Sequence, residues 1–189
     1  RIRPSVTQQL AKWVQNHDIF VSINLSAQEF NDPELVAIID GALKNAGGLA
    51  PRHLKLELTE TESMGDPEGT IEKMIELSKQ GIEIFIDDFG TGHSSLSYLR
   101  RLPAKVLKID KDFIDDVIDK PKEIMFLKNI IDIAKSRERT PLVEGVSDRQ
   151  QHELLTEIGC AIMQGYYFSR PIPAERFEEL LQKGAVLPV

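Results

Sequence analysis

Short apolar segments alternate with longer amphipathic segments along the 189 residues of the chain. Short runs of apolar or strictly alternating residues predict strands, and apolar residues spaced three or four apart predict helices. Six strands are predicted, over residues 19–26, 53–59, 82–88, 106–110, 141–146 and 160–165. Strands that alternate with helices are typical of a parallel sheet. The pattern therefore predicts an α/β fold.

Several predicted helices have recognisable ends. Asp66 can cap a helix that Gly81 can end, because aspartate is a preferred N-cap and glycine is preferred just past a helix C-terminus. One face of this helix is predicted to comprise Ile71, Met74, Ile75 and Ser78. Further helices are predicted over 123–135, 148–157 and 174–183, and residues 1–13 start inside a helical pattern, with Val6, Leu10, Trp13 and Val14 on one face. No linker interrupts the series, which predicts a single domain over residues 1–189 that has lost its N-terminal part.

The two faces of the predicted strands differ in polarity, since alternate residues of a strand point to opposite faces. The apolar face comprises Val21, Ile23, Leu25, Leu54, Leu56, Leu58, Ile82, Ile84, Ile86, Leu107 and Ile109. The mostly polar face comprises Ser22, Asn24, Ser26, Lys55, Glu57, Thr59, Glu83, Phe85, Asp87, Val106, Lys108 and Asp110. Parallel sheets are normally covered on both faces, so a polar face favours a closed barrel whose interior lines a site. A half-exposed sheet with one solvated face is the alternative.

Composition narrows the class of protein. The hydrophobic content of 41% and the charged content of 28% fit an ordinary globular chain. The net charge of -7 opposes binding to a DNA or RNA polymer, so neither is expected as a partner. No run approaches the ~18 apolar residues of a membrane span, and no signal peptide opens the chain. The single cysteine, Cys160, excludes an internal disulfide and is predicted to be a small buried side chain.

Polar side chains collect where the predicted strands end. These residues are Asn24, Glu57, Asp87, Asp88, Lys108, Glu144 and Gln164. Catalytic groups of α/β barrels collect at this end of the strands. Carboxylates that converge there would repel one another unless cations neutralised them, and oxygen ligands without His or Cys favour Mg²⁺ or Mn²⁺. Two such ions about 3.5–4 Å apart are used to hydrolyse phosphate diesters, and Asp87 can bridge them while Asp88 binds one.

The other polar residues have candidate roles with structural alternatives. Lys108 can orient the attacking water or balance the charge of a phosphate, and the alternative is a salt bridge to Glu57 or Asp87. Glu144 can be a second metal ligand or the base that acts on water, and the alternative is helix capping. Gln164 is expected to hold a neighbouring group in place.

The segment after Asp88 is predicted to be a functional loop. Gly90 and Gly92 permit backbone angles closed to other residues, so residues 89–95 can fold tightly and move. Glu60 can anchor this loop through its hydroxyl or amide groups. A simple turn before the next helix is the alternative, and His93 in the loop is a poor catalytic candidate.

These motifs together resemble the EAL domain family, bacterial phosphodiesterases that linearise cyclic di-GMP. The matching stretches are VSINLS (21–26), LELTET (56–61), IDDFGTGHSSLSYLRRLP (86–103), LKID (107–110), VEGV (143–146) and QGYYFSRPIP (164–173). The resemblance implies a TIM-like (β/α)8 barrel, two Mg²⁺ or Mn²⁺ ions, and a phosphodiesterase that hydrolyses cyclic di-GMP to linear pGpG. It implies metal ligands at Asn24, Glu57, Asp87, Asp88 and Glu144, and catalytic or supporting roles for Lys108, Glu144, Gln164 and Glu60.

The chain also departs from the family pattern. The opening strands, which carry the Glu-Ala-Leu signature with its metal-binding glutamate and a substrate-contacting arginine, have no counterpart in these residues. We therefore expect an incomplete barrel in which about six strands are present and the first two are absent, since a natural protein would not leave such edges open. Ser147 stands where the family usually has a second glutamate. Arg137 and Glu138 replace an apolar residue and a glycine.

Further expectations concern the protein as a whole. We expect a homodimer, fusion to or regulation by sensory or cyclase domains, and a cytoplasmic location, including that of a cytoplasmic module of a larger membrane-attached protein. A receptor that binds cyclic di-GMP without cutting it, and that signals by protein–protein contact, is the main alternative. An enolase-type lyase is a third possibility, and it would need a proton-abstracting Lys or His opposite the metal.

Overall fold

The computed structural model describes residues 4–63, 65–90, 96–115 and 117–184. Within these residues, six strands alternate with helices: β1 Val21–Asn24, β2 Leu54–Thr59, β3 Glu83–Phe89, β4 Val106–Ile109, β5 Thr140–Val143 and β6 Ile162–Met163. The predicted number of strands is confirmed, but several predicted ends are wrong. Ser26 lies beyond β1 because its side chain caps the next helix, and Asp110 lies beyond β4 because its carboxylate accepts a hydrogen bond from the Asp112 amide at 2.8 Å.

The helices follow the strands along the chain. They are α1 Pro4–Trp13, α2 Ala27–Phe30, α3 Leu35–Asn45, α4 Glu60–Ser63, α5 Pro67–Lys79, α6 Leu96–Arg101, α7 Pro121–Ser136, α8 Arg149–Glu157 and α9 Ala174–Lys183. In the described part of the chain, short 3-10 helices span Pro51–His53 and Lys111–Phe113. The predicted α1, α5, α7, α8 and α9 are confirmed. Across the described residues, no helix is both long enough and apolar enough to cross a bilayer.

Helix α3 was not predicted from the sequence, and the buried face predicted for α5 is wrong at two of its four residues. Helix α3 buries Leu35, Ile39 and Leu43, a regular four-residue spacing that was available in the sequence. Helix α5 begins at the Asp66 cap as predicted and buries Thr70, Ile71, Met74 and Leu77. Ile75 and Ser78 are exposed instead. The buried stripe of α5 therefore lies about one residue away from the predicted one.

The described residues form two compact units, residues 4–87 with 96–105 and residues 88–90 with 106–184. Within each compact unit, strands that are neighbours along the chain pair in parallel. In the first unit, β2 pairs with β1 and with β3, and Asn24 lies opposite Glu57. In the second unit, β5 pairs with β4 and with β6, and Lys108 lies opposite Leu142.

The polar face of the strands is covered at β2 and β4, whereas Asn24 at the end of β1 is exposed. Lys55 and Glu57 are each 6% exposed, and Lys108 is 4% exposed. Lys55 forms an ion pair with Glu83 at 2.5 Å, which offsets the cost of burying its charge. This burial contradicts the alternative of a half-exposed sheet.

Cys160 is a small buried side chain, as predicted. It is 2% exposed and forms no disulfide. Burial raises the pKa of its thiol, so the reactive thiolate is disfavoured. Cys160 therefore belongs to the core of the second unit.

Candidate metal and phosphate site

Two of the predicted ligands lie side by side in the first unit. Asn24 is the last residue of β1 and is exposed, whereas Glu57 in β2 is buried. They are opposite each other in the parallel register, and the Leu25 amide donates to the Glu57 carbonyl at 2.9 Å. Asp87 lies opposite Thr59 near the end of β3. The register thus brings Asn24 and Glu57 together at the carboxyl end of their strands.

Asp88 departs from the regular geometry of β3. Its φ of 53° is left-handed, a conformation that costs a non-glycine residue roughly 1–2 kcal/mol and that is often found at functional sites. One of its carboxylate oxygens lies within 4.8 Å of an oxygen of Asp87, its neighbour in the strand, and within 4.8 Å of an oxygen of Glu144 in the same unit. All three side chains are partly buried. Oxygen donors at this spacing suit a hard divalent cation.

Lys108 forms a buried ion pair in the second unit. Its Nζ lies 3.0 Å from Oε1 of Glu144, and the two side chains are 5% and 19% exposed. The partner is Glu144, whereas the salt bridge considered from the sequence was one to Glu57 or Asp87. Helix α8 is capped by Asp148, which accepts a hydrogen bond from the Gln151 amide at 2.9 Å. The capping role considered for Glu144 therefore belongs to Asp148 at this helix.

Backbone hydrogen bonds hold Glu144 and Gln164 at the ends of their strands. The Glu144 amide donates to Ile109 at 3.0 Å, and the Gln164 amide donates to Val143 at 2.9 Å. Both residues line a cavity of about 390 Å³ in the second unit, together with Asp110, Lys111, Gly145, Gly165 and Tyr166. A cavity of this size can admit a small-molecule ligand.

The rim of this cavity contains features that the sequence analysis did not single out. A Cβ at Gly165 would lie 2.1 Å from the Val146 carbonyl oxygen, so only glycine fits there. Tyr166 is 59% exposed, and the Arg170 guanidinium lies 4.6 Å from the centre of its ring. Gly165, Tyr166 and Arg170 all belong to the stretch QGYYFSRPIP, in which Gly165 and Tyr166 directly follow Gln164 and Arg170 lies six residues after it.

The structure describes Glu60, the proposed loop anchor, but it does not describe most of the loop that Glu60 is proposed to anchor. Glu60 is the first residue of α4 and is 2% exposed. Residues 91–95, which include Gly92 and His93, lie outside the described residues. The contact between Glu60 and this loop therefore stays a prediction.

Gly90 is expected to be intolerant of any side chain. Its φ of 100° is strained for other residues, and a Cβ would lie 2.7 Å from the Phe113 ring. We expect Gly90→Ala to lower the free energy of unfolding by about 2–3 kcal/mol. Urea denaturation would measure this change.

Gly41→Ala is the matched control for Gly90→Ala. Gly41 lies inside α3, and a Cβ there would meet nothing within 4 Å. We expect this substitution to stabilise the protein by roughly 0.5–1 kcal/mol, because alanine loses less entropy in a helix. Equal changes in the free energy of unfolding for the two substitutions would contradict the explanation that Gly90 is required by its positive φ and by the nearby Phe113 ring.

Comparison with known families decides the classification. The family model for the EAL domain matches residues 2–171 of the chain. The chain belongs to the EAL domain family.

Among its relatives, this EAL domain is 42% identical over 167 residues to the signaling protein YkoW of Bacillus subtilis, with 88% of the chain and 21% of YkoW covered. It is 38% identical over 171 residues to the bifunctional diguanylate cyclase/cyclic di-GMP phosphodiesterase MucR of Pseudomonas aeruginosa, with 89% of the chain and 25% of MucR covered. The chain thus spans a quarter or less of the length of these curated relatives.

Solved structures agree with this classification. The EAL domain of Mycobacterium smegmatis DcpA matches with a TM-score of 0.90 and 31% identity, over 97% of this chain and 83% of that one. The PaMucR phosphodiesterase in complex with c-di-GMP matches with a TM-score of 0.87 and 37% identity, over 92% and 71%. The manganese/cy-diGMP complex of Klebsiella pneumoniae BlrP1 matches with a TM-score of 0.78 and 26% identity, over 89% and 43%. The predicted TIM-like α/β fold class is confirmed.

Proposed function

We propose that this EAL domain hydrolyses cyclic di-GMP to linear pGpG with the help of two divalent cations. The observation that carries the proposal is the group formed by Asp88, Glu144 and buried Lys108 at the carboxyl ends of their strands. The family membership and the phosphodiesterase named among its relatives support the same reaction. Such a site combines cation ligands with a positive charge for phosphate.

The donor set fits Mg²⁺ or Mn²⁺. We propose that the ions are held by Asn24, Glu57, Asp87, Asp88 and Glu144. These side chains offer only oxygen donors at the ligand positions, which hard cations prefer over sulfur or imidazole. When bound, such ions supply a water nucleophile at neutral pH and offset negative charge on the phosphate. The manganese named for the BlrP1 complex supports this choice of metal.

Residues of the chain itself then bind the phosphate, orient the attacking water and accept its proton. Lys108 donates a hydrogen bond to the attacking water or to a phosphate oxygen, and its ion pair with Glu144 keeps the ammonium group in a fixed place. Glu144 either contributes to the second ion or accepts the proton of the water. Gln164 supports its neighbours at the cavity, and Glu60 anchors the loop that follows β3.

The reaction consumes one water for each ester bond that is cut. A bond forms between the water oxygen and phosphorus, and the bond between phosphorus and one 3′ oxygen breaks. The proton released by the water ends on the leaving oxygen or on solvent. The ring of the dinucleotide opens, and the product is pGpG.

A metal-dependent turnover assay tests this proposal. The protein, at its natural full length, is incubated with cyclic di-GMP in the presence of Mn²⁺, of Mg²⁺, or of a chelator, and the products are separated by chromatography. We expect pGpG with either metal, and a loss of at least about 100-fold in rate with the chelator. Binding of the dinucleotide without any pGpG would identify a receptor instead. Turnover that survives the chelator would contradict the two-metal mechanism.

The setting of the domain is part of the same proposal. We propose that the natural protein combines this domain with sensory or cyclase domains, acts in the cytoplasm and forms a homodimer. The combination of cyclase and phosphodiesterase in MucR, of which the chain spans 25%, supports the multidomain part. The proposed small-molecule partner is cyclic di-GMP, as in the PaMucR complex.

A further inference from the structure

Glu62 links the two chain segments that leave β1 and β2. Its Oε1 accepts a hydrogen bond from the amide of Ala27, the first residue of α2, at 3.1 Å. Its Oε2 accepts from the hydroxyl of Thr59 at 2.7 Å and from the Thr59 amide at 3.3 Å. Thr59 is the last residue of β2. One carboxylate therefore receives three donors from segments that are separated by about thirty residues in sequence.

These contacts exceed what helix capping requires. The Glu62 amide donates to the Thr59 hydroxyl at 3.3 Å, so the two residues form a reciprocal capping box at the start of α4. A capping box serves the helix to which it belongs. The second oxygen of Glu62 serves the first turn of another helix, α2, and so adds a link between the two segments.

The linked segments carry two of the proposed metal ligands. Asn24 lies opposite Glu57 in the sheet, and the Leu25 amide donates to the Glu57 carbonyl at 2.9 Å. Beyond this point the chain leaves β1 and enters α2. The hydrogen bond from the Ala27 amide to Glu62 links the same two chain segments again, just beyond the end of β1. Asn24 and Glu57 lie at this edge of the sheet.

Helix α4 provides a fixed base for this carboxylate. The Tyr98 hydroxyl donates to the Ser63 carbonyl, and the Ser63 hydroxyl donates to the Glu60 carbonyl at 2.6 Å. Ser63 and Tyr98 are both buried. A shift of α4 would break these bonds, so Glu62 is held from both ends of the helix.

We infer that Glu62 is a positioning residue that fixes Asn24 and Glu57 relative to each other for metal binding. The inference rests on the proposed function, because the distance between Asn24 and Glu57 matters for the reaction only if these two residues hold a cation. Groups that hydrogen-bond metal ligands directly contribute about 10–100-fold to metal affinity. Glu62 bonds Thr59 and Ala27, which are two and three residues from the ligands Glu57 and Asn24, so we expect an effect at the lower end of this range. Glu62 touches neither the ions nor the substrate in this account.

Two substitutions at Glu62 test the inference with Mn²⁺ alone as the probe. Glu62→Ala removes all three acceptor contacts, and Glu62→Gln keeps the shape but replaces one acceptor oxygen with an NH₂ donor. Bound and free Mn²⁺ are counted by electron paramagnetic resonance on the full-length protein without dinucleotide. We expect Mn²⁺ affinity about 10-fold weaker in both variants, together with faster hydrogen exchange at the Ala27 amide.

Glu29→Ala is the matched control. Glu29 forms a capping box of the same kind with Ser26 in α2, accepting from the Ser26 amide at 3.1 Å and from its hydroxyl at 2.9 Å. We expect its loss to lower the thermal midpoint somewhat less than Glu62→Ala does, because the Glu29 contacts are exposed and confined to one helix, and to leave Mn²⁺ affinity unchanged.

The outcomes separate the inference from the proposed function. Glu62 variants that bind Mn²⁺ as the wild type does would overturn the inference, and so would a Glu29→Ala protein with equally weakened affinity. A wild-type protein that binds no Mn²⁺ would refute the proposed function itself, and the positioning role would fall with it.

Discussion

Asp87→Asn is expected to lower the rate of cyclic di-GMP hydrolysis by about 1,000-fold, equivalent to about 4 kcal/mol of activation free energy. Asparagine preserves the size of the side chain and removes its negative charge. Asp87 is proposed to bridge two cations, so the substitution weakens both binding sites at once. The measurement is pGpG formation at saturating dinucleotide and at several Mn²⁺ concentrations.

Asp40→Asn is the control variant, because it makes the same chemical change at an exposed carboxylate that is not a proposed metal ligand. Asp40 forms an exposed ion pair with Lys44 on α3 at 2.6 Å, with 52% of the Asp40 side chain exposed. Exposed pairs of this type contribute little to stability, so turnover and folding should stay close to those of the wild type. An Asp87→Asn protein that keeps wild-type turnover would remove Asp87 from the set of metal ligands.

Lys108→Met is expected to lower the turnover rate by about 100-fold, equivalent to about 2.7 kcal/mol. Methionine fills a similar buried volume but cannot donate a hydrogen bond to water or phosphate. The substitution also leaves Glu144, whose side chain is 19% exposed, without the ammonium group at 3.0 Å. Loss of one partner from a buried pair is destabilising, so the free energy of unfolding should fall by about 3 kcal/mol or less.

A double substitution tests the structural role of Lys108. Combining Lys108→Met with Glu144→Gln removes the carboxylate charge beside the lost ammonium group, so we expect most of the lost stability to return. The chemical role is tested by the turnover of Lys108→Met alone, because Glu144 is itself a proposed ligand or base. Lys128→Met removes a lysine from the exposed Lys128–Asp132 pair and should change neither property. Wild-type turnover in the Lys108→Met protein would contradict a role for this lysine in the reaction.

The features that depend on short-range spacing were predictable from the sequence. The two-residue period of the strands identified Lys55, Glu57 and Lys108 as members of one face, and all three are buried on the covered polar face. The Asp66 cap also followed from local rules, because a cap is determined by residues within one helical turn. Placing Asn24 and Glu57 at the same edge required only parallel pairing of neighbouring strands.

The features that depend on long-range geometry were not predictable. Lys108 pairs with Glu144, and such a pairing depends on how far two side chains from different strands reach. The left-handed backbone of Asp88 is uncommon for a non-glycine residue, and nothing in its sequence neighbours requires it. The link from Glu62 to Ala27 connects residues that no periodicity relates. The ends of β1 and β4 were misjudged because capping by Ser26 and Asp110 competes with strand pairing.

Anomalous X-ray diffraction at the manganese edge, from crystals of the full-length protein grown with Mn²⁺ and cyclic di-GMP, tests directly whether two cations bind at the proposed carboxylates. We expect two anomalous peaks about 3.5–4 Å apart. Their ligands should come from Asn24, Glu57, Asp87, Asp88 and Glu144, with a phosphate of the dinucleotide between the ions and Lys108. Crystals that contain the bound dinucleotide but show no manganese peak at these carboxylates would contradict this expectation.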